Sequence, residues 1–181
     1  MRASPLIALP AAVTLGAFCA WGEAQAPRSP EYQIKTRYVT TLAEYTTWPA
    51  YALPKSKDEP IRLGILGTAP FEPFVKELET NYRIHGYRIE LVLLRQPSEA
   101  RNCHIIFISA SESHRLAETL AVLRGKPVLT IGDTPGFAHK GVMVNLFLSQ
   151  NRVLFEINQN ALKTSAMEMS SHVLKLARIV E

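Results

Sequence analysis

The sequence predicts a single three-layer α/β domain: a mostly parallel sheet with helices on both faces and a C-terminal antiparallel hairpin. Three observations carry this reading. Apolar runs at 61–66, 104–108 and 128–131 alternate with helical signals, and strands separated by helices pair in parallel through right-handed crossovers. The run His104-Ile105-Ile106-Phe107-Ile108 is almost continuously apolar, as befits a strand buried on both faces. The runs 142–148 and 152–157 are joined by a turn short enough only for a hairpin. A length of 181 residues fits one domain, and no internal repeat or second boundary is visible.

The elements follow in order. Arg2 precedes an uncharged stretch, 3–22, and small residues follow in Gly22-Glu23-Ala24 and Ala24-Gln25-Ala26. This is the pattern of a secretory signal peptide. Cleavage after Ala24 is preferred, because cutting after Ala26 leaves Pro27 first. An uncleaved anchor is disfavoured by Pro5, Pro10 and Gly16 in a barely sufficient length, and a lipoprotein by Phe18 before Cys19. The chain therefore divides into a signal peptide (1–24), a lead-in (25–30) and one domain (31–181).

Ser29-Pro30-Glu31 reads as a helix start, with a capping Ser, Pro in the first turn and an acid at the positive end. Ile34, Tyr38, Leu42 and Tyr45 form one apolar stripe, and Trp48-Pro49 is expected to end the helix. Prolines 49, 54 and 60 mark a connector. The spacing then predicts a strand over 61–66, a short helix over 71–79, a strand over 87–94 and a helical turn over 98–102. A strand over 104–108, a helix over 111–123 closed by Gly125 and a strand over 128–131 come next. After the hairpin, 159–167 is predicted helical. Ser170 or Ser171 caps a last helix containing Val173, Leu174, Ala177 and Val180.

Composition narrows the function. The net charge of +4 is spread without a Lys/Arg block, so no nucleic-acid partner is expected. There is no H-x-x-x-H, C-x-x-C, dense acidic loop, dinucleotide fingerprint or P-loop, so neither metal nor cofactor is expected. No catalytic residue is assigned. Cys103 and His104 are adjacent on a strand and point to opposite faces, and no base is spaced to serve the thiol. Cys103 reads as a buried small hydrophobe, and loss of Cys19 by cleavage leaves it without an internal disulfide partner.

Candidate binding residues fall in three groups. A two-residue Gln150-Asn151 turn sets Asn145 opposite Glu156, on a face shared with Met143, Phe147 and Leu154; Val144, Leu146, Phe155 and Ile157 take the other face. The pair is either a small polar recognition site or simply the wetter face of a hairpin, and the second is favoured. Ser109, Ser111 and Asp133 follow strands at their carboxyl ends, where open α/β sheets bind ligands. The alternatives there are a helix cap and a turn, both favoured over a ligand crevice. Tyr32, Tyr45, Trp48 and Tyr51 crowd the first helix and its exit; one stripe cannot bury all of them, which points to a partner or dimer surface.

An ordered set of segments resembles the YfiR family of exported bacterial proteins. They are Glu31-Tyr32-Gln33-Ile34-Lys35, Trp48-Pro49, Cys103-His104-Ile105-Ile106-Phe107-Ile108-Ser109 and Pro127-Val128-Leu129-Thr130-Ile131-Gly132-Asp133 running into Pro135-Gly136-Phe137. Then come Gly141-Val142-Met143-Val144-Asn145-Leu146, Phe155-Glu156-Ile157-Asn158, and Ser170-Ser171 through Leu174-Leu176-Ala177-Arg178. The resemblance covers about 31–180 and rests on order and spacing rather than on any single piece. It implies a periplasmic, non-enzymatic regulator that restrains an inner-membrane diguanylate cyclase through its periplasmic part, limiting cyclic di-GMP and biofilm formation. It also implies release by an outer-membrane lipoprotein, while a homodimer is expected from the aromatic crowding of the first helix. Redox control through an intramolecular disulfide, suggested for some members, does not carry over to a mature chain with one Cys. The alternative is a periplasmic small-molecule sensor using Ser109, Ser111, Asp133 and Asn145.

Overall fold

The computed structural model describes residues 30–69 and 74–181. The expected signal peptide, both cleavage positions, the Ser29 cap and the start of the 71–79 helix lie outside the described residues. Helix α1 spans Pro30–Glu44. It ends four residues before the expected Trp48-Pro49 stop, because the chain leaves it for strand β1 (Thr46–Thr47), which pairs antiparallel with β8 (Glu168–Met169). Two β-branched residues and a waiting partner outweigh another helical turn.

The buried face of α1 also differs from the expected stripe. Lys35, Thr36, Val39, Thr40, Leu42 and Ala43 are buried, while Ile34 and Tyr45 are 45% and 48% exposed. Threonines can occupy the inner face because their hydroxyls are satisfied within the helix. Thr36 donates to the Tyr32 carbonyl at 2.6 Å and Thr40 to the Arg37 carbonyl at 3.0 Å. Of the expected stripe Leu42 is buried and Tyr38 packs against the core, so a count of apolar residues alone finds one flank of the buried face and misses the rest.

A 3₁₀ turn (Ala50–Ala52) leads into β2 (Ile61–Leu66), α2 (Val75–Asn81), β3 (Ile89–Leu94) and a second 3₁₀ turn (Pro97–Asn102). Strand β4 (Ile105–Ile108) precedes a 3₁₀ segment (Ala110–Arg115) that runs into α3 (Leu116–Leu123). The expected helix over 111–123 is thus 3₁₀ in its first part. Strand β5 (Leu129–Gly132), a 3₁₀ turn (Ala138–Lys140), β6 (Val144–Ser149), β7 (Arg152–Asn158), α4 (Gln159–Thr164), β8, α5 (Ser171–Leu174) and β9 (Arg178–Val180) complete the fold.

The main sheet has seven strands in the order β3-β2-β4-β5-β6-β7-β9, and every neighbouring pair except β6–β7 is parallel. The hairpin register is the expected one, Asn145 opposite Glu156. The expected last helix is shorter. Ser170 caps it through its side chain, but it ends at Leu174, and Val180 lies in β9 rather than on a helix. The outer edge of β7 would otherwise expose unpaired backbone, and β9 covers it.

Alternation along the strands divides the core into two layers. Leu63, Ile65, Ile105, Phe107, Ile131, Leu146, Phe155 and Ile157 pack with Val39 and Leu42 of α1. Leu66, Ile106, Ile108 and Phe137 pack with Leu116 and Leu123 of α3.

Candidate functional site

At the carboxyl end of β5 the chain carries a polar sequence between two apolar layers. Asp133 follows Ile131 in the strand alternation and faces α1. Lys35 Nζ lies 2.8 Å from Asp133 Oδ2, with both side chains only 5% exposed. Tyr32 donates its hydroxyl to the same oxygen at 2.9 Å, and Glu31 Oε1 approaches Lys35 Nζ at 2.6 Å. A buried ion pair is costly to desolvate and persists only where further bonds satisfy it, as Tyr32 and Glu31 do here. The Tyr32 phenol is held well above its ordinary pKa, first by burial and then by the negative charge and hydrogen bond of Asp133.

The next residue continues the network on the opposite face. Thr134 N donates to Asn145 Oδ1 at 3.1 Å, and Asn145 Nδ2 donates to Glu156 Oε2 at 3.4 Å. Glu156 Oε1 reaches Arg178 Nη1 of β9 at 3.5 Å. Gly132, the sheet neighbour of Asn145, makes room for Phe137: a Cβ there would lie 2.7 Å from Phe137 Cδ2, while it would only touch Asn145 Oδ1 at 3.5 Å. One polar chain thus runs from α1 through the β5 exit and the hairpin to β9. Its members are mutually occupied, so the arrangement holds elements in place. Within it, Thr134 Oγ1 is buried without a hydrogen-bond partner among the described residues.

The expected crevice does not assemble as one set. Asp133 is taken by α1, and Asn145 and Glu156 pair with each other. Ser109 and Ser111 bond each other through their hydroxyls at 2.7 Å, and Ser111 Oγ accepts from Thr68 N at 2.9 Å. Ser109 Oγ also accepts from Ser111 N, so the serines act as a cap. Gly67, with φ of +89°, passes directly against Ser109 and Ser111.

The aromatic group divides in the same way. Tyr51 is 77% exposed and Tyr45 is half exposed. Trp48 is buried against His85, edge to face at 5.8 Å, and so presents no surface. Tyr32 is turned inward onto Asp133. Sequence reasoning missed Lys35 and Arg178; the signal for Lys35 was its i,i+4 spacing from Glu31. It also missed Leu176, 77% exposed, which lines an apolar groove with Tyr38, Tyr45, Phe155 and Val173 between α1 and α5.

Cys103 is buried, and burial pushes its thiol up to about 11 despite the nearby Arg62 guanidinium. His104 accepts from Arg62 N through Nδ1 at 3.0 Å, and burial together with the Arg62 charge lowers its pKa. No cluster of His, Cys, Asp and Glu among the described residues is arranged to hold a metal ion, and no described helix is long and apolar enough to cross a membrane.

Residues 32–178 match the model of the YfiR/HmsC-like family. The chain belongs to that family. Among solved structures, a conserved domain protein from Vibrio cholerae O1 biovar El Tor is similar with a TM-score of 0.54 at 13% identity, over 81% of this chain and 60% of that one. The chain therefore spans about 60% of that protein's length, and the likeness speaks to the α/β fold alone. The ABC domain in complex with L-Trp from Streptococcus pneumonia is similar at 11% identity, with a TM-score of 0.49 over 66% of this chain and 55% of that one.

Proposed function

We propose that this protein is a non-enzymatic periplasmic regulator that binds the periplasmic region of an inner-membrane diguanylate cyclase and holds it in its inactive state. The observation that carries this reading is the family match across nearly the whole described domain. The partner surface is the apolar face beside α1. There Tyr45 and Leu176 border one groove, Ile34 continues the helix stripe, and Ile179 lies on the Phe155 side of the sheet, opposite Ile157. Exposed Tyr and aliphatic side chains clustered around a groove suit a protein partner. The same face serves a second copy in a homodimer, and an outer-membrane lipoprotein releases the restraint by competing for the regulator. Restraint requires that the regulator bind the inactive cyclase more tightly than the active one.

The test is intracellular cyclic di-GMP in a deletion strain of the source organism, complemented with wild type or with Cys103→Ala. A rise on deletion, reversed by both, is the expected result. An unchanged level on deletion removes the cyclase from the proposal. Failure of Cys103→Ala alone, from a protein that still folds, would bring the thiol into the mechanism.

A further inference from the structure

A groove of about 430 Å³ lies between α3 and α4, across the amino ends of β5 and β6, at the other end of β5 from Asp133. This volume is within the roughly 300–1,000 Å³ usual for small-molecule sites. Leu120, Ala121, Met143 and Ala161 supply its apolar wall. Arg124 and Lys140 both line it, and no carboxylate does. Neither cation forms a side-chain ion pair or hydrogen bond among the described residues.

The buried polar groups of the groove add a second observation. Thr130 Oγ1 accepts from Met143 N at 2.8 Å, and Asn158 is used at both ends of its amide, by Ala138 O and Ala161 N. Thr164 donates to Asn160 O. Ser165 differs: it is 4% exposed, lines the groove, and its hydroxyl has no hydrogen bond among the described residues. That hydroxyl is open to the groove and is free to bond what enters it.

We propose that this groove binds a small, soluble organic anion with an apolar body. Arg124 and Lys140 hold its carboxylate, phosphate or sulfonate, the Ser165 hydroxyl gives a hydrogen bond, and the hydrocarbon part lies on Leu120, Ala121 and Met143. Two cations without a counter-charge select for the anion, and the apolar wall selects against bare inorganic ions. The site is separate from the partner face and does not depend on the cyclase reading.

The experiment is a fluorescence titration of the whole protein with anilinonaphthalene sulfonate and, in parallel, with uncharged N-phenylnaphthylamine. The Arg124→Ala/Lys140→Ala variant is expected to weaken sulfonate binding about tenfold or more and to leave the uncharged probe unchanged. Ala121→Phe, on the exposed side of α3, fills the groove and weakens both. Leu176→Glu, on the other apolar face, alters neither. Phenylacetate is expected to displace the sulfonate. Absence of saturable sulfonate binding overturns the proposal, as does an affinity unchanged in the double variant or lost in Leu176→Glu. Displacement by phosphatidylglycerol vesicles but not by phenylacetate overturns the soluble-ligand assignment.

Discussion

Lys35 and Asp133 are the residues on which the α1 contact most depends. Each is a charge withdrawn from water: removing Lys35 leaves Asp133 without its cation, and removing Asp133 leaves Lys35 only the half-buried Glu31. Asp133→Ala is therefore expected to destabilise the fold by about 3–5 kcal/mol, read from the urea midpoint at constant m. The double replacement Lys35→Met/Asp133→Leu should cost much less, since it leaves no lone buried charge. A single replacement as mild as the double one would contradict the pairing. Tyr32 adds a pH dependence of definite sign. Its phenol keeps its proton in the folded state past the point at which the unfolded phenol, near pH ~10, has lost it. The contribution is present below that value and declines as pH rises above it. Tyr32→Phe should flatten the stability curve in that alkaline range. Cys103 is governed by burial, so its thiol should resist iodoacetamide at pH ~8 in the native protein and react once urea exposes it. Equal rates in both states would place the sulfur at the surface.

Among the elements, the β6–β7 hairpin was the most legible. A two-residue turn sets register unambiguously, and alternation then assigns every side chain to a face. Gln150 and Asn151 both adopt positive φ, 48° and 61°, as a tight hairpin turn with the right twist demands. Neither residue is glycine, so the turn carries strain. Gln150→Asn/Asn151→Gly is expected to stabilise the protein by about 1 kcal/mol, seen as a higher denaturation midpoint with unchanged m. An unchanged midpoint would mean that the turn relaxes freely. The ends of α1 and α5 were less legible for one shared reason: in both places a strand competes with the helix. Thr46–Thr47 finds β8, and Arg178–Val180 finds the edge of β7. Local propensity does not register a partner more than 100 residues away along the chain, as β8 is from β1.

At the scale of the whole molecule, α1 and β9 border the same exposed apolar face, and the polar chain through Asp133, Thr134, Asn145 and Glu156 joins them. Leu176→Glu and Tyr45→Glu place charge on that face without opening the core. Under the proposed regulation each should raise cyclic di-GMP toward the deletion level while leaving the thermal midpoint within a few degrees of wild type. A normal cyclic di-GMP level in both variants would move the partner surface elsewhere. Tyr51→Glu, outside that groove, is the matched control.

The candidate site was legible in its parts and not in its grouping. Local sequence was enough for the alternation of strands and helices, the Asn145–Glu156 pairing, the buried character of Cys103 and the segments that carry the family resemblance. Each of these follows from local periodicity, turn length or residue type. Tertiary structure alone decided which face of α1 is buried, that Asp133 is bound by Lys35 and Tyr32, that Trp48 is core and Leu176 surface, and that two unpaired cations share a groove. Those outcomes depend on which distant backbone and charge come to lie beside each residue, and periodicity along one chain carries no record of that.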